Sequence, residues 1–201
     1  MTEEEIKEII KRADTFEKRL IFTQKYLFHG IPEVFRNRED DYFEFRNRIA
    51  NKFNVGFHEV FIVGSAKLGF SYFKGTQFNY DSDIDVVIVN EKLFETFYLK
   101  ISDYQYQLDR QQRTVALREL NIYNKFLKYL VKGWMRPDKL PTSFQVDLLK
   151  SEWFNFFESL SYNRSEVGNY KVSAGLFKNY DYLEKYYTKS VEDYYYSITK
   201  N

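Results

Sequence analysis

Residues 83–89, DIDVVIV, set two carboxylates one residue apart at the head of an otherwise apolar, β-branched run. A run of this kind reads as a buried strand. Side chains in a strand alternate between faces, so Asp83 and Asp85 project together while Ile84 and Val86 point the other way. Two like charges side by side at the start of a buried strand repel each other and resist desolvation, an arrangement that is costly unless a cation lies between them. The chain must therefore build a sheet that buries this strand and leaves its first residues open to a charged partner. HEVFIVG at 58–64 is a second short buried strand, closed by glycine, and KVSAGLF at 171–177 is the third candidate.

The remainder is helical by pattern. Thr2 and Glu5 have capping-box spacing, and Ile6, Ile9, Ile10, Ala13, Phe16 and Leu20 follow at helical intervals, which predicts one helix from about Glu3 to Leu27, stopped near Gly30 and Pro32. A second helix is expected from about Pro32 to Phe53, burying Phe35, Phe43, Ile49 and Phe53 and ended by Gly56. Asn90 is placed to cap a helix over EKLFETFYLKISDYQ, and another helical stretch covers roughly Arg110 to Lys132. GWMRPDKLP at 133–141 reads as a loop, SFQVDLLKSEWFNFFESL as a short extended piece leading into a helix, and Tyr180 to Ile198 as a terminal helix. Few strands and many helices give an α/β or α+β unit with helices packed on a small sheet. The expected organisation is an N-terminal helical segment over 1–56 and a core over 57–201, together one compact unit. The 20 Phe, 18 Tyr and 2 Trp fall mostly at helical spacing and read as packing residues.

Composition narrows the chemistry. Thirty Lys and Arg against 29 Asp and Glu leave a net charge of +1, so any phosphate site is local rather than a broad basic surface. The absence of cysteine excludes disulfides, thiolate-bound zinc and a thiol nucleophile. No apolar run reaches the roughly 20 residues of a membrane span, and the acidic amphipathic N-terminus resembles neither a signal nor a transit peptide; a cytoplasmic protein with no membrane insertion is expected. His29 and His58 have no acid–nucleophile companions and read as structural. Gly64 to Ser71 is close to a P-loop, but Phe70 stands where the phosphate-binding lysine is required, and that reading fails.

Oxygen-only ligands at Asp83 and Asp85 favour a hard ion, Mg²⁺ or Mn²⁺, which stays partly hydrated and completes its shell with substrate phosphates. Upstream, Gly64 and Ser65 end the first strand at a tight turn, with Gly69 following; glycine admits a close phosphate, and a hydroxyl with N–H groups at a helix start holds its oxygens. Lys67, Ser71 and Arg136 are cationic or hydroxyl groups within reach of such a cradle, each equally readable as a solvated surface residue. Arg110, Arg113 and Arg118 read as a solvated helix face.

Val63, Gly64, Ser65, Asp83, Ile84 and Asp85 together resemble the signature of the DNA polymerase β-like nucleotidyltransferase superfamily: a hydrophobic residue, Gly-Ser, a spacer and Asp-x-Asp. GSAKLG is similar to the form seen in its small bacterial members. The resemblance implies a small mixed nucleotidyltransferase sheet with flanking helices in a helix-rich α+β fold. It further implies metal ions at Asp83 and Asp85 and nucleotide phosphates at Gly64, Ser65 and Lys67. With the GWMRPDKLP loop, these segments also resemble nucleotidyltransferases of anti-phage defence, including the two-gene Hailong type that accompanies a membrane effector.

Two departures stand out. Seventeen residues separate Ser65 from Asp83, more than the usual spacer, so FKGTQFNYD is expected as an extra loop. The family's third catalytic carboxylate corresponds to Asp147 in QVDLL, which the local pattern favours, or to nothing, if KVSAGLF is the next strand, because that run contains no acid. The functional expectation is a metal-dependent transfer of a nucleotidyl group from an NTP or dNTP to a hydroxyl acceptor with release of pyrophosphate. An oligonucleotide product or acceptor and an effector protein are the expected partners. The alternative is a catalytically degenerate fold that binds nucleotide or a partner protein, favoured by a missing third acid and by the aromatic C-terminal helix with Tyr182, Tyr186, Tyr187 and Tyr194.

Overall fold

The capping box at Thr2 forms: its side chain accepts from the Glu5 N–H at 3.2 Å and the Glu5 carboxylate accepts from the Thr2 N–H at 2.8 Å, opening α1 (Glu3–Lys11) in a computed structural model that describes residues 2–141 and 147–200. The helix does not run on to Leu27. Thr15 offers a second cap, its hydroxyl accepting from the Lys18 N–H, and starts α2 (Phe16–Phe22), which continues as a π-helical turn over Thr23–Phe28. A hydroxyl that can bond its own downstream backbone competes with helix propagation, and here it wins.

The second expected helix also starts late. A single 3₁₀ turn at Glu33–Phe35 and Asn37 at φ 59° precede α3 (Glu39–Phe53), and Asn54 at φ 52° ends it before Gly56. Phe35 and Ile49 are buried as expected, whereas Phe43 is 47% exposed and Phe45 takes the inward position. With Ile49 at four residues' spacing, Phe45 lies on the face that meets the sheet.

There follow β1 (Val60–Val63), a single-turn helix α4 (Ser65–Leu68), a hairpin of β2 (Phe70–Ser71) and β3 (Thr76–Gln77), and β4 (Asp83–Val89). The hairpin occupies part of the long spacer that was expected as loop. Asn90 caps α5 (Glu91–Asp109), its Oδ1 accepting from the Leu93 N–H at 2.8 Å, and α6 (Leu117–Leu130) comes next. The 133–141 loop contains β5 (Trp134–Met135), too short to show periodicity. After α7 (Asp147–Ser159), β6 (Lys171–Phe177) coincides with KVSAGLF, and α8 (Tyr180–Thr199) closes the described chain. The extended piece expected before α7 lies outside the described residues.

The sheet has the order β1-β4-β6-β5 and is mixed: β1 and β4 are antiparallel, β4 and β6 parallel, β5 and β6 antiparallel. Helices cover both faces, so the fold is α+β with a small mixed sheet and flanking helices. Ile84, Val86 and Ile88 of β4 face a core with Phe45, Ile49, Phe97, Trp153 and Phe157. Val87 and Val89 face the opposite core, with Ile6, Phe22, Leu27, Leu183 and Val191. Both cores draw on residues before position 56, which ties the N-terminal helices to the sheet. Among the described residues no helix is long and apolar enough to cross a membrane.

Phe45 has no exposed surface. Phe45→Ala therefore removes a ring from a packed site and should cost about 3–5 kcal/mol, read as a lower urea midpoint at unchanged m-value.

Candidate functional site

The sheet register assembles the site around Asp85. Val63 pairs with Asp85 across β1–β4, so the chain turns at Gly64 directly beside the carboxylate; on the other side Ser173 of β6 is its register partner. Gly64 sits at φ 68°, ψ −147°, a conformation open essentially to glycine alone, and a Cβ there would lie 3.1 Å from Asp85 Oδ2. The hydroxyl of Ser173 donates to Asp85 Oδ1 at 3.1 Å. Asp83, two residues back on the same face, is met by its own register partner, Lys171, whose Nζ lies 3.3 Å from Asp83 Oδ2. That ion pair is open to water on both sides and holds the two side chains only weakly.

Asp85 is exposed at its strand head, and the protein atoms packed around the carboxylate still remove enough hydration to push its pKa up from the usual 3.8. The Ser173 hydrogen bond opposes the shift, the Asp83 charge adds to it, and Arg136 and Lys74 pull it back. A cavity of about 190 Å³ opens on this carboxylate, lined also by Arg136, Ser173, Gly175, Trp134, Tyr186 and Tyr187. It is smaller than the ~300–1,000 Å³ typical of a complete ligand pocket, so it suits one charged group rather than a whole nucleotide. The Trp134 indole N–H is buried in this wall without a hydrogen-bond partner among the described residues. Tyr187 is enclosed, and burial together with the Asp85 charge holds its hydroxyl well above its ordinary pKa, so it is a neutral wall group.

Tyr186 also borders a larger cleft, of about 610 Å³, lined by Phe73, Lys132, Tyr182, Lys185, Lys189 and Asp193, with Lys189 paired to Glu192 at 2.5 Å and to Asp193 at 3.8 Å. A carboxylate-headed cavity thus adjoins a cleft with three lysines and several rings. The donor set at the centre fits a hard divalent cation: two carboxylates on one face, one of them resisting ionisation in its surroundings, with a hydroxyl oxygen beside it. Among the described residues no group of three or more His, Cys, Asp or Glu side chains gathers to hold a metal.

The other sequence candidates are distributed as follows. Ser65 follows Gly64 as the first residue of α4, at the same corner. Lys67 is turned elsewhere: it is 7% exposed, its ammonium donates to the carbonyl oxygens of His29 and Gly30 at 2.5 and 2.7 Å, and burial lowers its pKa to about 8. It fastens the loop before α3 to α4. Asp147 is the first residue of a helix, not part of a strand beside β4, and its side chain lies outside the described part; the strand that does lie beside β4 carries Ser173. Asp81 belongs to the turn before β4, its N–H bonded to Asn79 Oδ1. Arg136 reaches the cavity, as the loop reading allowed.

Ser173, Lys171, Lys74 and Trp134 were not singled out in the sequence. Only parity in KVSAGLF hinted at Ser173: given a parallel neighbour, alternate residues of that run must share the carboxylate face. Comparison with family models, with curated proteins and with solved structures finds no match.

Because the folded pKa of Asp85 is raised, its contribution favours the native state at low pH and is lost as pH rises above the usual value of 3.8. Asp85→Asn, which preserves an acceptor for Ser173, should therefore raise Tm at neutral pH without added metal and flatten the decline in stability from acid to neutral pH. Ser173→Ala removes the hydrogen bond that opposes the shift, so the Asp85 carboxyl should titrate at higher pH, read from its side-chain carbon signal by NMR. Gly64→Ala places a Cβ against Asp85 in a disallowed conformation and should cost about 1–3 kcal/mol in thermal unfolding.

Proposed function

We propose that the protein is a metal-dependent nucleotidyltransferase, moving a nucleotidyl group from an NTP or dNTP to a hydroxyl acceptor. The observation that carries this reading is the placement of Asp85 between the Gly64-Ser65 corner and Ser173, with Asp83 on the same face and a cationic cleft alongside. The Asp-x-Asp and Gly-Ser resemblance supports it. Asp83 and Asp85 would hold Mg²⁺ or Mn²⁺, which when bound supplies charge neutralisation and polarisation at the phosphates.

The chain's own residues then have distinct parts. Gly64, lacking a side chain, leaves room for a phosphate oxygen beside Asp85, and Ser65 offers its hydroxyl at the same corner. Arg136, Lys132 and Lys185 would bind the remaining phosphate charge. The acceptor oxygen bonds to the α-phosphorus as the bond to the β-phosphate oxygen breaks, pyrophosphate departs, and the hydroxyl proton is released. Positioning and charge stabilisation account for most of the acceleration in such chemistry, so few reactive side chains are required. The resemblance to defence-associated nucleotidyltransferases extends the proposal to an oligonucleotide product that controls a partner effector.

A second reading rests on one specific observation: the strand beside β4 presents Ser173, not an acid, next to Asp85. On that reading the protein binds nucleotide, or a partner, without turnover.

Pyrophosphate release, assayed with each NTP and dNTP in Mg²⁺ or Mn²⁺ and with product masses determined, separates the two. Transfer predicts release that the Asp83→Ala/Asp85→Ala double variant reduces more than about 10³-fold. Nucleotide-dependent thermal stabilisation with no release supports the binding module. Mg²⁺ should raise the Tm of the wild type and leave that of the double variant unchanged.

A further inference from the structure

The long spacer between Ser65 and Asp83 carries more than the connection needs, and its rings are not used by the site described above. Phe78 and Tyr80, just before β4, stack on Tyr170, just before β6. Ring centroids lie 4.8 Å apart at 23° for Phe78–Tyr170 and 5.3 Å apart at 21° for Tyr80–Tyr170. The result is a three-ring ladder, Phe78–Tyr170–Tyr80. Trp134 and Phe177 also stack, but within the packed interior; here the ladder starts on the core at Phe78 and ends at Tyr80, which is 73% exposed. One face of Tyr80 is occupied by Tyr170, so the other is presented to water.

Its location gives this face meaning. Tyr80 precedes Asp83 by three residues, and Tyr170 precedes Lys171, the ion-pair partner of Asp83, so the ladder sits at the same end of the strands but on the other face of the sheet, against the core of Ile84 and Val86. At no more than about 3.3 Å per residue, the three-residue separation keeps the Tyr80 backbone within about 10 Å of that of Asp83. Two or three stacked nucleotides at roughly 3.4 Å each bridge that distance. A cleft of about 540 Å³ runs beside the ladder, lined also by Arg38, Asn163 and Asn169. Glu33 lies in the same wall, where its carboxylate is paired with Arg36 at 2.6 Å.

The two clefts differ in charge. The one against α8 has Lys132 and Lys185, with Lys189 paired to Glu192 and Asp193; the one beside the ladder has a single cation, Arg38, engaged by Asp41 at 2.7 Å. A flat, weakly charged platform next to amide side chains fits a nucleobase better than a polyphosphate. We propose that the ladder is a stacking platform for a base near the end of a single-stranded nucleic-acid acceptor, whose terminal hydroxyl it delivers towards Asp83 and Asp85. This rests on the nucleotidyl-transfer reading for the site it serves, but its binding step is separable from turnover.

The test is fluorescence anisotropy with a labelled single strand of about ten nucleotides, without divalent metal, competed by the same strand as a duplex and by a mononucleoside triphosphate. The wild type should bind the single strand in preference to the duplex. Tyr80→Ala should weaken that binding about tenfold, the effect of one lost base–aromatic stack, and Tyr80→Trp should retain it. Tyr80→Trp keeps the stack on Tyr170 and should leave the thermal transition in place, while Tyr80→Ala gives up one exposed ring contact and should lower it only slightly. Tyr170→Leu, which removes the middle ring, should weaken binding at least as much as Tyr80→Ala.

Absence of strand binding by the wild type, or equal binding by the wild type and Tyr80→Ala, would overturn the platform. Equal loss of mononucleotide and strand affinity in Tyr80→Ala would overturn its assignment to the acceptor and give the ring to the incoming nucleotide instead. Strand binding that depends on Tyr80 with no pyrophosphate release keeps the platform and defeats the transfer reading. Release onto a protein hydroxyl without strand binding does the reverse.

Discussion

Everything at this site follows from one electrostatic difficulty: a carboxylate, Asp85, held among protein atoms with a second carboxylate two residues away on the same face of the central strand. The fold relieves it only in part. Ser173 donates one hydrogen bond, Lys171 pairs with the neighbouring acid, and Arg136 and Lys74 contribute at longer range. A chain selected for stability alone would place a valine here, continuing the pattern of Val87 and Val89. The acid placed there, with a glycine that leaves it room, is what the proposal of a bound cation rests on.

The sheet topology determines which groups can help. Because β4 lies between β1 and β6, Asp85 has one neighbour that ends in a turn and one that runs parallel and continues past it. The turn brings backbone and Ser65; the parallel strand brings one side chain on the same face, Ser173. Covering that face, α8 supplies Tyr186 and Tyr187 as walls and lysines beyond them. The spacer and the residue before β6 meet at the strand heads on the other side. The cavity on Asp85 thus adjoins the α8 cleft through Tyr186, a consequence of the strand order and not of any single motif.

What could be read from the sequence follows physical range. β4 was legible almost to the residue because a continuous β-branched run bounded by polar residues has few other interpretations, and β6, with a single β-branched residue, was legible as a short apolar run between polar ends. Asp83 and Asp85 were legible as a pair because alternation fixes their common face. Lys67 was read as a phosphate ligand from its proximity to Gly64 in the chain; its use on the carbonyls of His29 and Gly30 depends on a loop 37 to 38 residues away. The break at Thr15 is a contest between a hydroxyl cap and helix propagation, too finely balanced for periodicity to decide. β5 is two residues long and exists only because β6 offers an edge.

The third acid shows most clearly where local pattern ends. QVDLL has the alternation of a strand with an inward acid, but Asp147 begins a helix, while the strand that pairs with β4 is 24 residues further on. If nucleotidyl transfer occurs, the duty of positioning the attacking hydroxyl falls on Asp85 itself, on its hydrogen bond from Ser173, and on whatever holds the acceptor. A site with two carboxylates among the described residues gains little from stronger chemistry at its centre and more from accurate delivery of the attacking group, since orientation can supply a large share of a barrier reduction. On the platform proposal, the exposed ring of Tyr80 would supply part of that delivery. Its stacking on Tyr170 fixes its plane before any partner arrives, which lowers the ordering cost of binding a base.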